Sequence, residues 1–156
     1  MKKRFLFFLV GLFSFNALGA PERTAIKLPP MIRDQFLANM RDHLMAISEI
    51  QAALAKGEFE RASEIAGGRL GLKAPSSAAC RMNKSQHTSM DNSALSKYMP
   101  KEMHRIGFAM HTAADNFAAD AKKAAPIRDY RMTIESLSNV TMQCVACHAK
   151  FRLAGR

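Results

Sequence analysis

The chain has no tryptophan, only two tyrosines and three cysteines, and nowhere alternates apolar and polar residues over any length. Because its apolar residues instead recur at steps of three and four, the sequence favours helices over sheets. No stretch beyond the first twenty residues is apolar enough to cross a bilayer, so we expect no stable membrane insertion. The sequence also has no Ser-His-Asp set, acid/base pair or phosphate-binding loop, and we therefore do not expect an enzyme.

The N-terminus has the pattern of a secretory signal peptide. Three basic residues at positions 2–4 precede an apolar run from Phe5 to Phe15, and Ala17-Leu18-Gly19 offers small residues for cleavage. The apolar run is shorter than a spanning helix needs, which argues against the alternative of an uncleaved anchor. We predict a signal peptide over residues 1–20 and one exported domain over residues 21–156.

The predicted exported domain is basic, with 20 Lys and Arg against 13 Asp and Glu, a net charge of +7. In a bacterium this domain would enter the periplasm. A basic exported protein suits acidic partner proteins or anionic membrane surfaces. Because no compact Lys/Arg patch is interleaved with aromatic residues, we do not expect nucleic acid as a partner.

Four helices are predicted from the apolar periodicity and from the positions of glycine and proline. The second is short and is ended or disrupted by three glycines, and the segment over residues 72–99 is interpreted as a loop with a helical turn or two. The predicted helices run from Met31 to Lys56, from Glu58 to about Gly67-Gly68, from Pro100 to just before Pro126, and from about Pro126 to about Leu153.

Apolar stripes on these helices predict the fold class, an all-α antiparallel four-helix bundle. The fourth helix repeats at steps of four and three, and the first helix carries a comparable stripe. The predicted stripes are Tyr130, Ile134, Leu137, Thr141, Cys144 and His148 on the fourth helix, and Leu37, Met40, Leu44, Ile47 and Leu54 on the first.

The motif Cys144-Val145-Ala146-Cys147-His148 lies on that fourth helix. C-x-x-C-H is the attachment signature of c-type haem. The two thiols can form thioether bonds to the haem, and the imidazole of His148 is placed to be the proximal iron ligand. Residues three and four apart share a helical face, so Cys144, Cys147 and His148 point at one ligand. We therefore predict one covalent haem c on the C-terminal helix.

A bare C-x-x-C also fits a thioredoxin-like redox pair, half of a zinc site or a disulfide loop. A zinc site would need a second pair of ligands, and the only other cysteine, Cys80, stands alone. A thioredoxin-like pair would follow a strand in a βαβ unit, and no strand pattern precedes this motif. Cys80 is an odd thiol that is either buried and free or bridged to another molecule.

The segment from Cys144 to Arg152, C-V-A-C-H-A-K-F-R, resembles the C-x-A-C-H-x-x-[YF]-R ending of cytochrome c′ and its low-spin four-helix relatives. The first helix resembles that family too, with Arg33 early and an apolar stripe after it, whereas residues 67–99 do not. The resemblance implies that Arg152 lies near the proximal haem face and that Arg33 can meet a haem propionate. Family members often form dimers through their first two helices, which makes a homodimer an expectation here.

The resemblance also places a residue of the first helix over the distal haem face. If Arg33 matches the arginine of the family's first helix, Leu37 lines an open distal pocket over a five-coordinate iron. If the register shifts by one turn, Met40 is the sixth ligand, although methionines on such a stripe are also ordinary core residues. His111 on the third helix is a further candidate sixth ligand, its alternative being a structural helix histidine.

Three functions remain open at this point. The first is a monohaem c-type cytochrome that exchanges electrons with redox partner proteins. The second, implied by the resemblance, is a five-coordinate haem protein that binds nitric oxide. The third is a haem-free thiol redox or metal-binding module that uses Cys144 and Cys147.

Overall fold

The chain is mostly helical in the computed structural model, which describes residues 22–80 and 93–155. The predicted all-α class is therefore confirmed. Within these residues no helix combines the length and hydropathy that crossing a membrane requires. The elements are β1 (Thr24–Ile26), α1 (Pro30–Lys56), α2 (Phe59–Ile65), α3 (Ser93–Ser96), α4 (Lys101–Ala124), α5 (Tyr130–Lys150) and β2 (Phe151–Leu153), with shorter turns at Ala66–Leu70, Pro75–Ala79 and Ala125–Ile127.

Helix α1 begins and ends where its proline and glycine residues dictate. Pro30 occupies the first turn, where the missing N–H costs nothing. Gly57 adopts a left-handed conformation with φ of 75°, and its N–H group approaches the carbonyls of Ala53 and Leu54. A left-handed residue that caps the last turn in this way ends many helices. The predicted bounds of this helix are confirmed to within one residue.

Helix α2 runs without a break into a π-helical turn at Ala66–Leu70. This turn contains Gly67 and Gly68 and is capped by Gly71. A 3₁₀ turn at Pro75–Ala79 follows. The glycine-rich disruption is confirmed, and so are the helical turns expected in the segment after it. Residues 81–92 of that segment lie outside the part that the structure describes.

Helix α5 begins and ends inside its predicted limits, so both predicted ends were wrong by three or four residues. Pro126 belongs to a separate 3₁₀ turn that closes at Arg128, whose φ is 51°. The carboxylate of Asp129 then caps α5 by accepting a hydrogen bond from the N–H of Met132 at 2.9 Å. After Lys150 the chain leaves the helix and becomes extended.

The buried face of α5 is rotated from the predicted stripe. Ile134, a predicted stripe residue, is 57% exposed, whereas Thr133 and Val140 are fully buried against the core. Buried polar residues explain the error, because the Thr133 hydroxyl donates to the carbonyl of Tyr130 at 2.8 Å and thus meets its own hydrogen-bonding need. On α1, likewise, the predicted stripe residue Leu44 is 72% exposed.

The main core lies where α1, α2 and the π-helical turn meet α4 and α5. Helices α4 and α5 pack most extensively on one another, and α2 packs on both α1 and α4. Helix α4 buries Met103, Ile106, Met110 and Phe117, which recur at helical spacing on one face. Other large buried side chains of this core are Ile50, Phe59, Leu70 and Val140.

Two short parallel strands that the sequence did not reveal join the start of the described chain to its end. Thr24, Ala25 and Ile26 of β1 pair with Phe151, Arg152 and Leu153 of β2, in that register. Ile26 and Phe151 are buried together with Met103 and Ile106 of α4, and Cys147 packs against the same cluster. The extended segment before α1 is thereby fixed beside the end of α5.

Candidate functional site

A cavity of about 450 Å³ opens between the first half of α1, helices α4 and α5, and the segment from Leu70 to Cys80. Its volume falls within the range of about 300–1,000 Å³ that is usual for cofactor sites. Its walls are mainly apolar, with side chains such as Phe36, Ile47, Leu95, Met99, Met103 and Ile106. A cavity of this size and character suits a large apolar ligand.

All three chemically active residues of the C-x-x-C-H motif line this cavity. Cys144 and Cys147 are half-buried free thiols on the last turns of α5, and His148 follows at its exposed rim. Burial raises the pKa of both thiols, and for Cys147 the nearby Cys144 adds to the shift. The helical spacing has brought the motif to one face, as the sequence predicts.

Helix α1 supplies the wall that carries both residues expected on the distal side. Leu37 and Met40 line the cavity and are only partly buried by protein atoms. Indeed, no side chain from Pro30 to Met45 is fully buried, whereas Ala46 and Ile50 in the next turns are. The first half of α1 therefore borders the cavity, and the second half enters the core.

His111 of α4 also lines the cavity and is 1% exposed. Its Nδ1 lies 2.6 Å from the carbonyl oxygen of Leu70, to which it must donate a proton because a carbonyl can only accept. This hydrogen bond fixes one tautomer and ties α4 to the end of the π-helical turn. His111 thus has a structural role at the cavity wall, whatever else it contacts.

His43 is a cavity residue that the sequence reasoning missed. It lies three residues after Met40 on α1, and its Nε2 is 3.0 Å from the hydroxyl oxygen of Ser76. Burial, assisted by the nearby His111, lowers the pKa of His43 to about 4, so its ring is neutral at pH 7. Because His43 follows Met40 by three residues, the two share a helical face, and this spacing could have identified His43 from the sequence.

Cys80 is a third thiol on the cavity wall. It is 8% exposed and is not bonded to either of the other two cysteines. Burial raises its pKa to about 11, and the charge of Cys147 contributes in the same direction. Nothing in the sequence signalled that the loop after α2 would return this residue to the cavity of the C-x-x-C-H motif.

Two arginines expected near the site lie outside the cavity lining. Arg152 is exposed on β2. Arg33 lies on the first turn of α1, and among the described residues its Nε is a buried donor with no hydrogen-bond partner. Phe36 of the cavity wall is three residues further along the same helix.

Among residues 22–80 and 93–155, no cluster of three or more His, Cys, Asp or Glu residues could hold a metal ion by itself. Comparison with protein-family models, with curated proteins and with solved structures gave no match. The cavity and the motif that lines it are therefore the features from which we infer a function.

Proposed function

We propose that this protein is an exported, periplasmic monohaem c-type cytochrome that transfers electrons through one covalent haem c. The observation that carries the proposal is the placing of Cys144, Cys147 and His148 on the wall of one apolar cavity. A C-x-x-C-H motif on an unrelated surface would have no room for the group that it attaches. In this protein the attachment residues line a cavity that offers such room.

The donor set and the cavity fit a haem in three respects. The volume is that of a cofactor site, and the apolar walls suit a macrocycle. The buried Nε of Arg33 needs an acceptor, and a haem propionate would supply one. The proposal includes the finer fold, a four-helix bundle like that of cytochrome c′, in which α1, α2, α4 and α5 form the four helices.

Each residue has a defined task under this proposal. Cys144 and Cys147 would form the thioether bonds to the haem, His148 would bind its iron, and Arg152 would belong to the same side of the site. The apolar side chains around the cavity would exclude water from it. When bound, the haem supplies one-electron iron redox chemistry. The basic surface, with a net charge of +7 after the signal peptide, favours acidic redox partners.

The acidity of the thiols argues against a haem-free thiol oxidoreductase. Redox-active cysteines have a depressed pKa because neighbouring charges or a helix N-terminus stabilise the thiolate. Here burial raises the pKa of Cys144 and of Cys147 instead. Both residues lie in the last two turns of α5, the helical end that disfavours negative charge. Neither thiol therefore has the depressed pKa that is typical of redox-active cysteines.

Binding of a small gas such as nitric oxide is the second candidate function, because Leu37 contributes an apolar and only partly buried side chain to the α1 wall. An open distal side needs a wall of this kind. If Met40 or His111 binds the iron instead, the ferric iron is low-spin and the site is closed. Optical and EPR spectra of both oxidation states, with and without carbon monoxide, distinguish the two functions. Met40→Ala and His111→Ala then identify the sixth ligand by conversion to high spin.

The proposal is tested by producing the full chain in a host with haem-attachment machinery and recording its absorbance after denaturation. We expect a haem spectrum that stays with the polypeptide in wild type and in Cys80→Ser. The double variant Cys144→Ser/Cys147→Ser should lose it completely. A colourless wild type, or equal haem retention in the double variant, would overturn the proposal.

A further inference from the structure

Arg69 joins the π-helical turn to the middle of α1 through two carboxylates. Its Nη1 donates to Oε2 of Glu49 at 2.7 Å, and its Nη2 donates to Oδ1 of Asp42 at 2.5 Å. Asp42 and Glu49 are seven residues apart, so they lie two turns apart on the same helical face. The Arg69 side chain is 28% exposed and its two carboxylate partners are each 46% exposed, whereas the side chains of the surface pair Arg61 and Glu64 are 61% and 66% exposed.

The turn that carries Arg69 is itself fixed to α4 on its other side. The carbonyl of Leu70 accepts the hydrogen bond from His111, and the N–H of Leu72 donates to the carboxylate of Asp115 at 3.1 Å. Together, these contacts join the end of the π-helical turn and the residue Leu72 to α4. Arg69 joins the same turn to α1.

The two carboxylates lie on different halves of α1. Asp42 belongs to the first half, which borders the cavity with Leu37 and Met40 and has no fully buried side chain. Glu49 belongs to the second half, in which Ala46, Ile50 and Leu54 are buried in the core. Phe36 packs this first half against the buried cluster of Ile26, Met103, Ile106 and Phe151, and the Asp42–Arg69 ion pair holds its end. Arg69 belongs to a π-helical turn, an element that often occurs at functional sites.

We propose that Arg69 is a positioning residue that sets the distance between the α1 wall and the C-x-x-C-H motif, and thereby the access of small ligands to the cavity. This inference rests on the proposed haem function. Arg69 does not line the cavity and acts only through α1. A separate contact, between His43 and Ser76, also restrains this stretch of α1, but it joins two neutral side chains.

The test measures carbon monoxide association with the ferrous haem-loaded full chain by flash photolysis, at a temperature well below unfolding. The two ion pairs of Arg69, with Asp42 and with Glu49, are here called the clamp. Arg69→Gln removes both pairs, and Asp42→Asn/Glu49→Gln removes them from the α1 side. Arg69→Lys keeps the charge but cannot bind both carboxylates with a planar fork. Arg61→Gln, which breaks an exposed pair, is the matched control.

We expect association to be about three- to fivefold faster in Arg69→Gln and in the Asp42/Glu49 double variant, the effect of losing a partly exposed ion pair. Arg69→Lys should recover part of the change, and Arg61→Gln should match wild type. Wild-type rates in both clamp variants would overturn the role of Arg69 while leaving the haem proposal intact. Wild-type protein without covalent haem, checked by intact mass, would overturn both.

Discussion

The imidazole rings of His43 and His111 meet edge to face, with centroids 5.6 Å apart and an interplanar angle of 83°. One ring comes from α1 and the other from α4, so this contact joins the two helices at the wall of the cavity. Each ring also has a fixed oxygen partner, Ser76 and Leu70 respectively. A polar strip therefore interrupts the apolar lining beside Met40, which makes this part of the wall sensitive to protonation.

Stability should fall on acidification because of His43. Its pKa is lowered from 6.5 to about 4 in the folded protein, mainly by burial, so the unfolded chain takes up a proton first as the pH falls. The free energy of unfolding should decline between about pH 6.5 and pH 4, by on the order of 2–3 kcal/mol. Urea unfolding at pH 7 and pH 4.5 measures this loss. His43→Gln should lack that part of the decline, and equal pH dependence in both proteins would contradict the assignment.

Gly57 should not tolerate a side chain. Its φ of 75° is strained for any L-residue, and a Cβ atom there would approach the guanidinium of Arg128. We expect Gly57→Ala to lower the free energy of unfolding by about 1–2 kcal/mol. Gly68→Ala is the control, since it has a negative φ and no neighbour within 4 Å, and its stability should stay the same or rise slightly. Equal losses in the two variants would contradict the left-handed cap.

The strand pair at the end of α5 should contribute measurably to stability. Ile26 is 6% exposed and packs with Phe151 and Ile106, in the cluster that Cys147 also contacts. Truncation to Ile26→Ala should cost about 2 kcal/mol or more. Thr24→Ala, on the same strand but exposed, should stay within about 0.5 kcal/mol of wild type. Chemical denaturation of the two variants distinguishes a buried strand from a loosely associated tail.

Local signals predicted the main helices because proline and glycine residues mark their ends. Pro30 and Gly57 mark α1, and Pro100 immediately precedes α4. The ends of α5 were harder, because Pro126 started a separate 3₁₀ turn and the true cap was Asp129. The strand pair could not be predicted, since three residues carry no readable alternation and their partner lies more than a hundred residues away.

The candidate site was predictable in part, since Leu37, Met40 and His111 were expected near the haem and line the same cavity as the motif. The C-x-x-C-H spacing placed Cys144, Cys147 and His148 on one face without tertiary information. Cys80, by contrast, reaches the same cavity because the segment after α2 folds back. That path depends on contacts such as those of Leu72 with Asp115, which join residues distant in sequence.

The central claim is that Cys144 and Cys147 hold a haem covalently in this cavity. The most direct test is the intact mass of the exported protein under denaturing conditions, after production with haem-attachment machinery. For the wild type we expect the mass of the polypeptide after signal-peptide removal plus one haem. For Cys144→Ser/Cys147→Ser we expect the mass of the polypeptide alone. A wild-type mass equal to the bare polypeptide would show that no haem is covalently attached.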